Sequence, residues 1–257
     1  MKFRLNIPGM LVFILVILLW SITSASRIVS PFLLPSPATV LATGWETLCD
    51  GTLIHNALVS IRRILLGYAL AVAVAVPLGL VFSVSSGLRK AFEPLLDFVR
   101  QIPPLAMMPL LILWLGIGEA QKIGVIVLAC FFPIFLGVIG GIAQCDPKLI
   151  EVGRACDLNR FALIRRVVLP ASLPSVVVGL RVALGFGWRA VVGAELVASS
   201  AGLGYMIVDA ENLARTDIVL VGILVIGCLG MLADVGIRAL IGRQAPWLTA
   251  RTELRLA

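Results

Sequence analysis

Histidine is almost missing from this sequence: His55 stands alone among 257 residues. A histidine-based metal site or proton relay therefore has nothing to be built from. There is no HExxH pair, no GxSxG elbow and no GxxxxGK[ST] phosphate loop. The chain thus lacks zinc-peptidase and hydrolase chemistry, and any ATP must be bound by another chain. No catalytic residue and no metal ligand is expected. CxxC pairs are also missing. The five cysteines are scattered (Cys49, Cys130, Cys145, Cys156, Cys228), which argues against a disulfide framework. Cys130 and Cys228 lie in apolar runs, where a thiol serves as a small hydrophobe. The formal charge of +7 is not accompanied by any basic patch interleaved with aromatics, so nucleic acid is not an expected partner.

What the chain does have is apolar surface. Sixty per cent of its residues are hydrophobic and its mean hydropathy is +1.07, values of the membrane class. Six runs approach the roughly 20 residues that a bilayer requires: 9–29, 64–86, 101–118, 121–141, 170–197 and 217–241. Backbone polar groups in hydrocarbon must be paired within the segment, which permits helices or a closed barrel. Alternating ten-residue patterns are absent, so the fold class is an all-α polytopic membrane protein of about six transmembrane helices.

Lys2 and Arg4, followed by Met10 to Trp20 and then Ser21 to Ser26, have the layout of a cleavable leader. The run nevertheless continues through Ile28 and Val29 with Arg27 as its only charge, and a retained helix is expected. Residues 1–50 then comprise this helix and a periplasmic interfacial segment, in which Ser36 and Pro37 start a short helix. Residues 51–241 form the transmembrane core, and 242–257 a tail.

Charge sets the orientation. Lys2, Arg4, Arg89, Lys90, Arg243, Arg251 and Arg255 and the insert at 142–169 fall on one side, expected to be cytoplasmic with both termini. Arg27, Lys122 and Arg215 fall on the other, together with the acids Glu46, Asp50, Glu119, Asp209, Glu211 and Asp217. Arg62 and Arg63 fit poorly, at the outer start of the second run, where snorkelling to headgroups or an amphipathic segment accommodates them.

The insert contains EVGRACDLNRFALIRRVVLPASLP, from Glu151 to Pro174. Asp146 followed by Pro147 makes an N-cap with proline at the first helical position. Asn159 caps a second short helix through Arg166, which Leu169-Pro170 stops at the membrane surface. Two short helices meeting at an angle form a stiff knob on which a partner can push. An ordinary solvated loop, basic for topology alone, fits the pattern equally.

This segment resembles the cytoplasmic loop of ABC importer membrane subunits, whose pattern is Glu-Ala-Ala, a glycine four positions on, then a hydrophobic residue and Leu-Pro. Here Glu151-Val152-Gly153 and Val168-Leu169-Pro170 supply it, with Asp157 where the family usually has glycine. PFLLPSPATVL, SIRRILLGYALAVAVAVPLGL, RQIPPLAMMPLLILWLGIGEAQKI, FFPIF, GLRVALGFGWRAVVGAEL, SAGLGYMI and ARTDIVLVGILVIG are similar, in order, to permeases of the nitrate, sulfonate and taurine type. The resemblance implies a type I ABC importer permease fold and a chain that is no enzyme. It implies two copies forming the pore, two cytoplasmic ATPase subunits carrying ATP and Mg, and a periplasmic or lipoprotein solute-binding protein, in a bacterial inner membrane. The coupling loop would then comprise Glu151, Gly153, Arg154, Asp157, Arg160, Arg165, Arg166, Leu169 and Pro170.

Intramembrane charge is expensive and marks function by default. In the fifth run, Arg181 and Glu195 are spaced close to four helical turns apart and match family positions. Arg189 beside Trp188 either faces the translocation pathway and attracts an anion, or pairs with Glu195 or a carbonyl to hold the bundle. Gly202, Leu203, Gly204 and Tyr205 form either a periplasmic gate or a plain turn. Gly67, Ala71, Ala75 and Gly79 make a ladder suited to a seam within one subunit or between two. The expected function is translocation of a small solute delivered by the binding protein, an anion by the weight of Arg189, such as the sulfonate, taurine, nitrate or bicarbonate that the resemblance implies. A stand-alone ion-coupled transporter is the alternative, but only Glu195 and Asp234 offer intramembrane carboxylates and no inverted repeat is visible. The third possibility, a membrane enzyme, lacks converging side chains.

Overall fold

The computed structural model of the chain describes residues 7–26 and 28–244. Every regular element among them is helical: α1 (Ile7–Ala25), α2 (Pro37–Cys49), α3 (Thr52–Val84), α4 (Ser86–Val99), α5 (Met108–Leu115), α6 (Glu119–Ala143), α7 (Pro147–Ala155), α8 (Arg160–Leu163), α9 (Leu169–Ala198), α10 (Leu203–Asn212) and α11 (Thr216–Gln244). The calls on Lys2, Arg4, Arg251 and Arg255 lie outside the described residues.

Four helices are long and apolar enough to cross a membrane, within Thr52–Val84, Glu119–Ala143, Arg160–Val197 and Thr216–Ala239. α1 is a shorter apolar helix. The expected span at 101–118 is corrected to a broken element: Gly87–Val99 and Pro104–Leu115 meet at 85°. Proline explains the break. Pro103 and Pro104 push the preceding residues out of helical conformation, a 3-10 turn fills Pro104–Met107, and α5 has only 8 residues. That is about 12 Å of helix against a hydrocarbon core of about 30 Å.

The described residues divide into two compact units. One holds those up to Val59 with Ser199–Gly227, the other Ser60–Ala198 with those from Cys228 onward. In the first, Ser36 caps α2 by accepting from the Thr39 amide at 3.1 Å, as its sequence signals. Thr43 donates to Asp217 at 2.9 Å. Arg215 also holds Asp217, and that carboxylate pushes the Arg215 guanidinium above its ordinary value.

In the second unit, small residues set the packing. A Cβ added at Gly67 would lie 2.6 Å from Ile126, and one at Gly79 2.8 Å from Val138, while Ala71 and Ala75 between them are fully buried. The ladder on α3 is therefore an intrasubunit seam with α6. α6 in turn meets α9 through Gly137 and Gly179, where an added Cβ would stand 2.9 Å and 2.6 Å, respectively, from the opposing backbone. Tyr68 donates to the Leu180 carbonyl at 3.0 Å and the Cys130 thiol to that of Ala183 at 3.3 Å, satisfying carbonyls of α9 from two sides. Phe82, Phe131 and Phe135 fill the space below.

Candidate coupling elbow and transmembrane charge sites

α7 begins as the sequence dictates, with the Asp146 carboxylate accepting from the Lys148 amide at 2.9 Å and Pro147 in the first turn. It ends in a tight reversal. The Leu158 amide donates to the Gly153 carbonyl at 3.1 Å, and the Asp157 amide to that of Arg154 at 3.0 Å. Asp157 sits at φ 54°, the left-handed conformation for which glycine is the usual residue. Aspartate tolerates it better than a β-branched residue. Gly153 is buried where any Cβ would collide with the Leu163 side chain, so α7 and α8 close on each other at a residue without one. Asn159 then caps α8, accepting from the Ala162 amide at 2.8 Å.

The second helix does not stop at Leu169-Pro170, which corrects the sequence expectation. A π turn over Ile164–Val168 carries it into α9. Proline at position 170 offers no amide to the preceding turn and its ring crowds the carbonyl four residues back; one extra residue in the turn accommodates both. The result is one continuous helical span, Arg160–Val197, of 38 residues.

Glu151, Arg154, Asp157, Arg160, Arg165, Arg166 and Pro170 are exposed, Gly153 is buried and Leu169 half-buried. Charge was only part of this surface. Phe161 is 73% exposed, Val152 61% and Leu149 48%. Large apolar side chains left exposed among the charges of a turn are a protein-contact signature. The Cys145 thiol, just before α7, is pushed up by burial and then by Asp146.

The charges expected in the pathway are not gathered at one point. Glu195 is closed off. Arg63 Nη1 reaches it at 2.8 Å and Ser60 donates to both its oxygens, at 2.8 and 2.9 Å. Arg63 also binds Glu119 at 2.6 Å, and Lys122 approaches Glu119 at 3.3 Å. Arg63 is thus neither terminal nor snorkelling: α3 starts at Thr52, more than three turns earlier than the hydropathy run, and places this arginine in the core at 3% exposure. Arg62 is exposed. Arg189 is exposed and lies over the Phe186 ring at 5.3 Å, and Glu195 has Arg63 instead as its cation. Arg181 pairs with Asp234 at 3.1 Å, and Arg238 holds the other oxygen of the same carboxylate. Trp188 packs over Gly230.

Gly202, Leu203 and Gly204 are buried and Tyr205 half-buried. They open α10, a helix that hydropathy did not reveal, rather than a plain turn. Gly202 stands at φ 122°, and its amide donates to Asn56 Oδ1 at 2.8 Å. A histidine, cysteine and carboxylate cluster able to hold a metal is absent among the described residues.

Residues 64–245 match the family described as binding-protein-dependent transport system inner membrane component. The chain belongs to this family. It is 36% identical to the taurine transport system permease protein of Escherichia coli (strain K12), over 89% of this chain and 85% of that one. It is 36% identical to the putative aliphatic sulfonates transport permease protein of Bacillus subtilis (strain 168), over 93% and 87%. With the nitrate import permease protein of Leptolyngbya laminosa it shares 26% identity over 95% and 89%. A solved inward-facing structure of the MetNI methionine ABC transporter has the same fold, with TM-score 0.61 and 17% identity, over 74% of this chain and 97% of that one. The protein is a multi-pass permease subunit of an ABC importer and not an enzyme; ATP hydrolysis belongs to a separate subunit.

Three features of the permease escaped sequence reasoning. Arg63 was assigned to a helix end because the adjacent charges of Arg62 and Arg63 interrupt an apolar pattern that α3 in fact carries through them. The tie from α9 to Asp234 and Arg238 is nonlocal. Phe161, Val152 and Leu149 did carry a signal: large apolar residues inside a basic insert.

Proposed function

We propose that the permease works as a pair of copies, each engaged by one of two ATPase subunits that carry ATP and Mg, and passes a small oxyanion such as a sulfonate, taurine or nitrate handed over by a binding protein. Both termini and the elbow face the cytoplasm. Glu151, Gly153, Arg154, Asp157, Arg160, Arg165, Arg166, Leu169 and Pro170 belong to the contact with the ATPase, with Phe161 and Val152 at its apolar centre. Arg181, Trp188, Arg189 and Glu195 serve the pathway, Glu195 by holding its wall together. Gly202, Leu203, Gly204 and Tyr205 act as the periplasmic gate.

The continuity of Arg160–Val197 carries this proposal. An α-helix transmits displacement along its axis, so a push on α8 moves the stretch of α9 bearing Arg181 and Arg189 without a flexible joint between. Coupling then biases two arrangements of the bundle. Glu151→Lys tests the contact, because an exposed side chain can reverse charge without unfolding α7. Membrane insertion should persist while solute-stimulated ATP hydrolysis by the reconstituted complex is lost. Normal coupled uptake by this variant refutes the docking role.

A further inference from the structure

Arg181 lies about 18 Å along α9 from Leu169, near the middle of a hydrocarbon core about 30 Å thick. Asp234 and Arg238 face it from α11, one helical turn apart. The Asp234 carboxylate is shared: Arg181 Nη2 donates to Oδ1 at 3.1 Å and Arg238 Nε to Oδ2 at 2.8 Å. Two guanidiniums around one carboxylate leave a net positive charge.

The cluster is not sealed. Side-chain exposure is 35% at Arg181, 39% at Asp234 and 62% at Arg238. Charges open to hydrocarbon at this depth are costly, so the open side calls for water or an ion. Arg181 also keeps a donor in reserve, since its Nε is shut from solvent and has no hydrogen-bond acceptor. Nε and an Nη of one guanidinium form the fork that grips two oxygens of an oxyanion. Trp188, two turns beyond Arg181 on the same face, spans to Gly230, one turn before Asp234, where an added Cβ would lie 2.9 Å from the indole nitrogen. Long side chains bridge α9 and α11 here, unlike the glycine contacts between α6 and α9. By contrast, the Arg63, Glu195, Glu119 and Lys122 cluster balances two cations with two carboxylates and has Glu195 closed at 1% exposure, so it offers an anion no vacancy.

We infer that Asp234 is a resident stand-in for the transported oxyanion: its carboxylate holds Arg181 until a sulfonate displaces it, and the freed guanidinium then turns its enclosed Nε outward to grip the sulfonate with both arms of the fork. The exchange swaps one anion for another on Arg181 while Asp234 keeps Arg238 as its cation, so neither the carboxylate nor the sulfonate is left without a positive partner, and the cluster's excess positive charge is neutralised. This rests on the proposal that the permease passes an oxyanion.

The test uses full-length permease in lipid nanodiscs, without ATPase or binding protein. Thermal unfolding is followed against sodium methanesulfonate, with neutral dimethyl sulfone as control. Removing the internal competitor should tighten binding, because an apparent affinity is weakened by the fraction of time the site is occupied from within. Asp234→Asn should bind methanesulfonate about tenfold or more tightly than the unaltered chain. The double variant Arg181→Gln/Asp234→Asn, a neutral pair of similar shape, should respond no more than to dimethyl sulfone. Equal affinity of the unaltered chain and Asp234→Asn, a response surviving in the double variant, or no response in any form overturns the inference. So does a change of oligomeric state without a change in affinity. If Asp234→Asn does not fold, the unaltered chain and the double variant decide: loss of the response supports exchange, and retention overturns it. Failed uptake by the assembled transporter would count against the proposed function and leave this binding result standing.

Discussion

At the scale of single residues, Arg63 and Asp157 show how position changes the meaning of a side chain. Arg63 is a buried cation shared by carboxylates on two other helices. Its removal leaves Glu195 charged in the core, which costs about 3 kcal/mol or more. Arg63→Gln should therefore lower the unfolding temperature of the purified permease sharply, and Arg63→Lys should recover little because a single ammonium cannot serve both partners. The exposed neighbour gives the control: Arg62→Gln should leave the transition in place. Equal behaviour at 62 and 63 would deny the clamp. Asp157 is the complementary case, a residue whose backbone angle matters more than its charge. Asp157→Gly should retain solute-stimulated ATP hydrolysis, whereas Asp157→Val should lose most of it, since a β-branched side chain resists φ 54°. The chain announces the departure from glycine at 157. It does not announce Arg63, because a neighbouring arginine, an early helix start and two distant glutamates have to be known together.

At the scale of helices, close approach is governed by where a Cβ is missing. Gly67 and Gly79 face Ile126 and Val138 at distances no methyl tolerates, while Gly140 has nothing within 4 Å of an added Cβ. Gly67→Ala and Gly79→Ala should each destabilise the permease by about 1–3 kcal/mol. Gly140→Ala should be neutral or slightly stabilising from helix propensity alone. Thermal unfolding of the three variants in one detergent ranks them, and a destabilised Gly140→Ala beside an unaffected Gly67→Ala would mean α3 and α6 pack by another face. The four-residue spacing of small residues is visible in the chain. Whether the seam joins helices of one subunit or of two is not, because the pattern is the same for both and only the partner differs. Likewise, Pro103, Pro104 and Pro109 mark a break in the chain, but not its angle: the 85° between Gly87–Val99 and Pro104–Leu115 is visible only in the structure.

For the molecule as a whole, orientation is the property that everything mechanical depends on, and its thiols report it. Cys49 and Cys156 are exposed, while Cys145 is buried with its thiol pushed upward, so thiolate is scarce there at neutral pH. In single-cysteine variants, an impermeant maleimide should label Cys156 only in inverted vesicles and Cys49 only in right-side-out ones, with Cys145 slow in both. Labelling of Cys156 and Cys49 from the same side would sink the topology. Membrane class, helical content, the caps of α2, α7 and α8 and the elbow motif were all determined by sequence alone, since each depends on composition or on residues within a few positions of one another. The tertiary structure decided which glycines are contacts, that Glu195 answers to Arg63 and Arg181 to Asp234, and that the elbow runs unbroken into α9. Those pairings join residues far apart in the chain, and only the packing of the helices brings a charge to its partner.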